Sequence, residues 1–186
     1  EAEVGVTFKR FVMELPKVGF LTGHGEPSIT GQLRRDYLLF AGEKTFRHSL
    51  LNQGFDTEEV SISGDSDIPS YINILVIADV REVLPEAHRK NLDAYIARGG
   101  NLLIAGEPKR QKYMNPLVEQ FGVRFMSGRL VSPSENFQSD FIMSKVTKEA
   151  AEFSYELKDM YRYGNVATMP STVGLDLSGI PNSGFK

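Results

Sequence analysis

The 186-residue chain contains no cysteine. That excludes disulfide frameworks, thiolate metal sites and every enzyme built on a cysteine nucleophile. Long apolar runs are also missing. The purest stretch, Ile74-Leu75-Val76-Ile77-Ala78, is strand-sized beside the ~18 consecutive apolar residues of a membrane span. Neither sign of charge dominates, with 21 Lys and Arg against 24 Asp and Glu and a net charge of −3. Binding to a phosphate backbone wants a concentrated basic face, so nucleic acid is excluded as a partner. The three histidines show no H-E-x-x-H or comparable spacing, and neither a P-loop lysine pattern nor a G-x-S-x-G elbow occurs. Transition-metal, phosphate-cradle and serine-elbow chemistry are thus left without a motif, and no catalytic residue, metal or cofactor is assigned.

What remains is a globular composition, 41% hydrophobic and 24% charged. The length suits one domain over 1–186, with a core at about 17–131 and a C-terminal extension at 132–186. The chain opens at Glu1 without a charged-then-apolar leader and ends in a polar stretch after Gly164. This reads as a mature form or, preferably, an excised piece.

The opening residues Val4, Phe8, Phe11, Val12 and Leu15 form a helical stripe closed by Pro16. It is expected to pack on the domain, or else to dock on a partner or continue a longer segment upstream. The central pattern predicts strand 18–22, helix 43–53, strand 58–62, strand 72–78, helix 85–98, strand 101–106, helix 114–121 and strand 123–131. Gly54, Gly99-Gly100 and Gly122 stand where helix C-caps belong, and Pro85 stands where a helix opens. Beyond Ser132 the pattern fades, with a helical turn or two expected over Thr147–Phe153. Strands alternating with helices at these lengths predict an α/β fold. The best fit is a flavodoxin-like, doubly wound, mostly parallel sheet in three α/β/α layers.

Ligands of open α/β sheets bind beyond the carboxyl ends of the strands. Three predicted strand ends deliver Gly23-His24-Gly25-Glu26, Asp79-Val80-Arg81 and Glu107-Pro108-Lys109-Arg110. The candidate ligand-binding residues are therefore Gly23, His24, Gly25, Glu26, Asp79, Arg81, Glu107 and Arg110. Glycines on both sides free the backbone at His24, and Glu26 is placed to hold its tautomer. His48 and His88, both on predicted helices, add nothing to this set. Asp79 and Glu107 suit a hard cation, or simple pairing with Arg81, Lys109 and Arg110.

Val18-Gly19-Phe20-Leu21-Thr22-Gly23-His24-Gly25-Glu26, the Gly54-Phe55-Asp56 turn, Ile74-Leu75-Val76-Ile77-Ala78-Asp79 and the run from Leu92 to Ile104 resemble the auxiliary component of gliding-motility-associated ABC transport systems. The resemblance covers about Lys17 to Val131. One departure is Val80, where a proline is expected after the strand-end Asp. The resemblance implies a fold related to class I glutamine amidotransferases without their chemistry. It also implies a non-catalytic, extracytoplasmic ligand-binding or coupling domain, held to an inner membrane by segments outside this chain. The implied partners are an ABC permease and its ATPase, with a saccharide or cell-wall ligand, and a homodimer is allowed. Two other readings of the residues stand beside it. One is a hydrolase or metal-dependent enzyme using His24, Glu26, Asp79 and Glu107; the other is a purely structural assembly or dimerisation module.

Overall fold

In the computed structural model the described residues are 5, 8, 11–31, 36–63 and 67–180. They fall into two compact units, one of residues 1–106 with 112–114 and the other of 107–111 with 115–186.

The first unit is built on a parallel sheet of β1 (Lys17–Thr22), β2 (Asp56–Ser61), β3 (Ile72–Ala78) and β4 (Asn101–Ala105). Its spatial order is β2-β1-β3-β4, which is how the flavodoxin-like order begins. Register follows from the apolar runs: Val18 pairs with Thr57 on one side and Ile74 on the other, and Ala78 pairs with Ala105. Side chains alternate between the two faces of a strand. On one face Val18, Phe20, Val76 and Ala78 form a buried cluster with Ala41, and Tyr37, Leu50 and Phe55 pack against it. On the other, Leu21, Leu75 and Ile77 are at most 2% exposed.

Two short helices, α1 (Leu38–Ala41) and α2 (Leu50–Gln53), lie in the β1–β2 crossover, and α3 (Glu86–Ala97) lies in the β3–β4 crossover. These crossovers leave the β1/β3 junction in opposite directions. Right-handed connections then place their helices on opposite faces, giving three layers. On α3, Leu92 and Tyr95 are buried. The Tyr95 hydroxyl donates to the Asn101 carbonyl at 3.0 Å, tying helix to strand.

The expected helix 43–53 reduces to α2. Local side-chain bonds take the backbone groups a longer helix would use. Glu43 accepts from the Thr45 N–H and Oγ at 3.0 and 2.8 Å. Asn52 Nδ2 donates to the Lys44 and Phe46 carbonyls at 2.9 and 2.8 Å. Ser49 then caps α2, its hydroxyl accepting from the Asn52 N–H. In the opening segment Val4 lies outside the described residues. Phe8, Phe11 and Val12 are helical but 68%, 83% and 82% exposed, so the expected packing of that stripe on the domain is not what these side chains do.

Helix α4 (Gln111–Val118), whose residues 112–114 are counted in the first unit and the rest in the second, starts three residues before the expected helix and passes into a 3-10 turn over Glu119–Phe121. The expected strand 123–131 is cut to β5 (Arg124–Phe125). There the Asn115 side chain brackets Phe125, accepting its N–H at 2.8 Å and donating to its carbonyl at 3.2 Å. Downstream, β6 (Phe141–Lys145) pairs antiparallel with β7 (Val166–Pro170), and β5 pairs with β8 (Leu175–Asp176). Between β6 and β7 runs α5 (Tyr155–Tyr163), preceded by a 3-10 turn at Ala150–Glu152. Ser154 caps the start of α5, and Gly164 ends it at φ 68°.

Candidate functional site at the carboxyl ends of the strands

In this strand order the chain leaves β1 toward β2 on one side, while β3 flanks it on the other. The crevice between the carboxyl ends of β1 and β3 is where doubly wound sheets hold ligands. Two of the three expected corners, Gly23–Glu26 and Asp79–Arg81, meet there within the first unit.

The loop after β1 turns through Gly23 and Gly25, at φ 109° and 80°. At Gly25 a side chain is also blocked by space, since a Cβ would lie 2.9 Å from that of Arg81. This fold-back buries His24 to 3% exposure and brings Glu26 beneath it, its side chain only 1% exposed. One Glu26 oxygen accepts the His24 backbone N–H at 2.6 Å, and the other lies 3.2 Å from His24 Nδ1. A buried carboxylate is tolerated when its oxygens are bonded. Here one neighbouring residue bonds both.

The Arg81 N–H donates to the His24 carbonyl at 2.9 Å, stitching the β3 corner to the β1 corner. Asp79, 1% exposed, sits at φ 49°, a left-handed conformation uncommon outside glycine. Its N–H reaches the Ala105 carbonyl at 2.8 Å. Its carboxylate takes Arg81 Nε and a terminal guanidinium nitrogen at 3.1 and 3.0 Å. Asp79 thus pairs with Arg81, the simpler of its two expected roles. Glu107 and Arg110 belong to the second unit.

A further residue joins the candidates expected from the sequence. His88, in the first turn of α3, places Nδ1 2.8 Å from His24 Nε2, with the rings edge-to-face at 5.0 Å between centroids. A signal for it existed. The helix that follows β3 starts at the same end of the sheet as the β3 corner, so a residue in its first turn was a candidate from topology alone. Together Glu26, His24 and His88 form a continuous carboxylate–imidazole–imidazole chain. It can fix tautomers, accept or relay a proton and present a hydrogen-bonding nitrogen. Among the described residues no three His, Asp or Glu side chains converge to hold a metal.

A cleft of about 1030 Å³ opens at the other end of the sheet, lined by residues that include Phe11, Pro16, Lys17, Asp56, Tyr71 and Asn73. Lys17 Nζ there lies 3.2 Å from a Glu58 oxygen and 4.6 Å from the Tyr71 ring centroid. The hydrogen bond to Glu58 is the main cause raising the pKa of both Lys17 and Tyr71. This end has the volume, whereas the carboxyl end has the buried polar groups and constrained backbone. The second set of features is the better guide, because specificity comes from a few placed polar groups.

Comparison with known proteins adds a family and a fold. The family described as an ABC-type uncharacterized transport system matches residues 15–172. Among solved structures the chain is similar to the mmIFT52 N-terminal domain at 15% identity and a TM-score of 0.58, over 85% of this chain and 67% of that one. At that identity the likeness shows fold alone. No curated protein sequence matches the chain.

Proposed function

The chain belongs to the family of ABC-type uncharacterized transport-system components, and from that premise we propose that it is a non-catalytic ligand-binding or coupling domain of such a system. The observation that carries this reading is the locked pair of corners at the β1/β3 junction. His24 and Arg81 are joined through their backbones, and both buried carboxylates already have partners. A ligand seated on Gly23, Gly25 and Arg81 is felt by α3 through His88, which gives a route from binding to a packed helix. The domain works on the extracytoplasmic side, beside a permease and an ATPase of a gliding-motility-like system, held by segments outside this chain. Its ligand is a saccharide or cell-wall glycan.

The test is to titrate the isotopically labelled protein with an N-acetylglucosamine tetramer and follow backbone amide shifts. Binding at the proposed site moves Gly23, Gly25, Arg81 and His88. Shifts confined to Lys17, Tyr71 and Asn73 would transfer the function to the opposite cleft, and no shifts at all would remove the glycan.

One observation favours a second reading. Glu26 and His24 lie within hydrogen-bond reach, the arrangement that orients a general base. Among the described residues no hydroxyl side chain bonds either histidine, so hydrolysis there would use water as nucleophile. Turnover of glycan or ester substrates that is abolished in His88→Ala would establish it.

A further inference from the structure

The geometry points to His88 Nε2 as a hydrogen-bond acceptor of fixed polarity for a hydroxyl group of the bound ligand, its lone pair turned outward by Glu26 two links away. The inference rests on the binding reading above and names the atom that reads the ligand.

One group in this chain cannot change its role. The His24 backbone N–H only donates, and it donates to one Glu26 oxygen. The other oxygen faces His24 Nδ1, and an ionised carboxylate only accepts. His24 Nδ1 therefore carries the hydrogen. With both rings neutral, each imidazole has one N–H, so His24 Nε2 offers a lone pair to its single partner, His88 Nδ1 at 2.8 Å. His88 Nδ1 must then carry the hydrogen, which leaves Nε2 as the acceptor. Among the described residues no other hydrogen bond engages the His88 side chain. Among the described residues no buried side-chain nitrogen or oxygen lacks a partner, so His88 Nε2 is open to solvent. Free imidazole exchanges tautomers, whereas this one is held in a single polarity.

The same logic gives a sharp perturbation, Glu26→Gln. The backbone N–H still requires an oxygen, so the amide oxygen takes that place and the amide nitrogen turns toward His24 Nδ1. That nitrogen only donates. His24 Nδ1 becomes an acceptor, Nε2 acquires the hydrogen, and His88 switches to the Nε2–H form. An isosteric change two links away thereby converts the outward acceptor into a donor.

Ring-nitrogen shifts from long-range proton–nitrogen NMR at pH 8, where free imidazole is neutral, report these forms directly. The wild-type protein is expected to show Nδ1–H at both His24 and His88. Glu26→Gln is expected to show Nε2–H at both, with a native amide spectrum. In the same samples the N-acetylglucosamine tetramer should move His88 Nε2 in the wild type, and its affinity should fall at least tenfold in Glu26→Gln and in His88→Ala. His88→Ala keeps the buried Glu26–His24 pair and so serves as the folded control. A wild-type His88 in the Nε2–H form, or unchanged tautomers in Glu26→Gln, overturns the inference whatever the ligand does. Expected tautomers with glycan binding that leaves His88 Nε2 unmoved overturn its role as the reader. Expected tautomers with no glycan response anywhere refute the binding reading, and the assignment of His88 as a ligand contact falls with it.

Discussion

Replacing Tyr95 by Phe separates a hydrogen bond from a titration in one residue. The ring is 1% exposed and stays in place, so no cavity opens. What is lost at neutral pH is the hydroxyl donation to the Asn101 carbonyl, a neutral hydrogen bond with a net value of about 0.5–1.5 kcal/mol. Asn101 is at the exposed start of β4, where water can replace the phenol, so the lower half of that range is expected. At alkaline pH the sign reverses. Burial, the largest cause, raises the Tyr95 pKa above its ordinary 10.0. Stability from this group is full below the unfolded value and is lost as pH rises through the folded one. One unit above the unfolded value, ionisation stabilises the unfolded chain by RT ln 11, at most about 1.4 kcal/mol. The phenylalanine variant escapes this loss, while the other tyrosines titrate in both proteins. Urea unfolding followed by circular dichroism between pH 8 and 11 should show the variant less stable at pH 8, with the difference closing and inverting toward pH 11. Parallel stability curves would refute the assignment of a protonated, buried phenol.

At Gly25, substitution by Ala meets both a left-handed backbone, costing about 1–2 kcal/mol, and the Arg81 stem at 2.9 Å. A loss of roughly 2–3 kcal/mol in urea unfolding is expected, and a loss below about 0.5 kcal/mol would disprove the close approach of the two corners. At acid pH, Glu43 is informative, since the Thr45 N–H and hydroxyl hold its pKa below 4.5. A depressed carboxylate stabilises above its unfolded pKa and loses that contribution as pH falls through the folded one. Glu43→Gln should therefore flatten the decline in thermal stability below pH 4.5 without a change in slope above it; an unaltered acid limb would contradict the Thr45 bonds.

The sheet was legible because its signals are local and redundant. β3 is a nearly unbroken apolar run, interrupted at Asn73, and α3 opens after a proline and closes before a glycine pair. Residues 43–49 misled because apolar spacing at Phe46 and Leu50 says nothing of Asn52 taking the carbonyls a helix needs. The Ser154-to-Gly164 bracket around α5 was readable as a pair of caps, yet the polar composition near it masked the helix. β6 and β7 lack the alternation of a half-buried strand, since most of their residues are exposed. At the site, Gly23, Gly25 and Asp79 follow from where strands end. His88 needed the distance between a helix turn and a loop, which sequence spacing does not encode.

Whether the β1/β3 corner is a site or only a well-made turn comes down to what a turn would require. A reversal between strands needs glycine and a few backbone bonds, and Gly23 and Gly25 already supply the dihedrals. It does not need two carboxylates removed from water, because burying an ion pair is often no better for stability than apolar packing. Nor does it need Asp79 in a left-handed conformation, which costs about 1–3 kcal/mol where a glycine would cost little. Glu26 and Asp79 are nonetheless held in the first unit, each about 1% exposed at the side chain and each against a named partner. Such groups gain their value from orienting something, and the one side-chain nitrogen in the Glu26 chain left facing solvent belongs to His88. The large cleft at the other end of the strands shows no comparable expense: its Lys17–Glu58 pair is about one-third exposed on each side and screened by water. The carboxyl lip is therefore where loss of a single hydrogen bond should alter function before it alters folding.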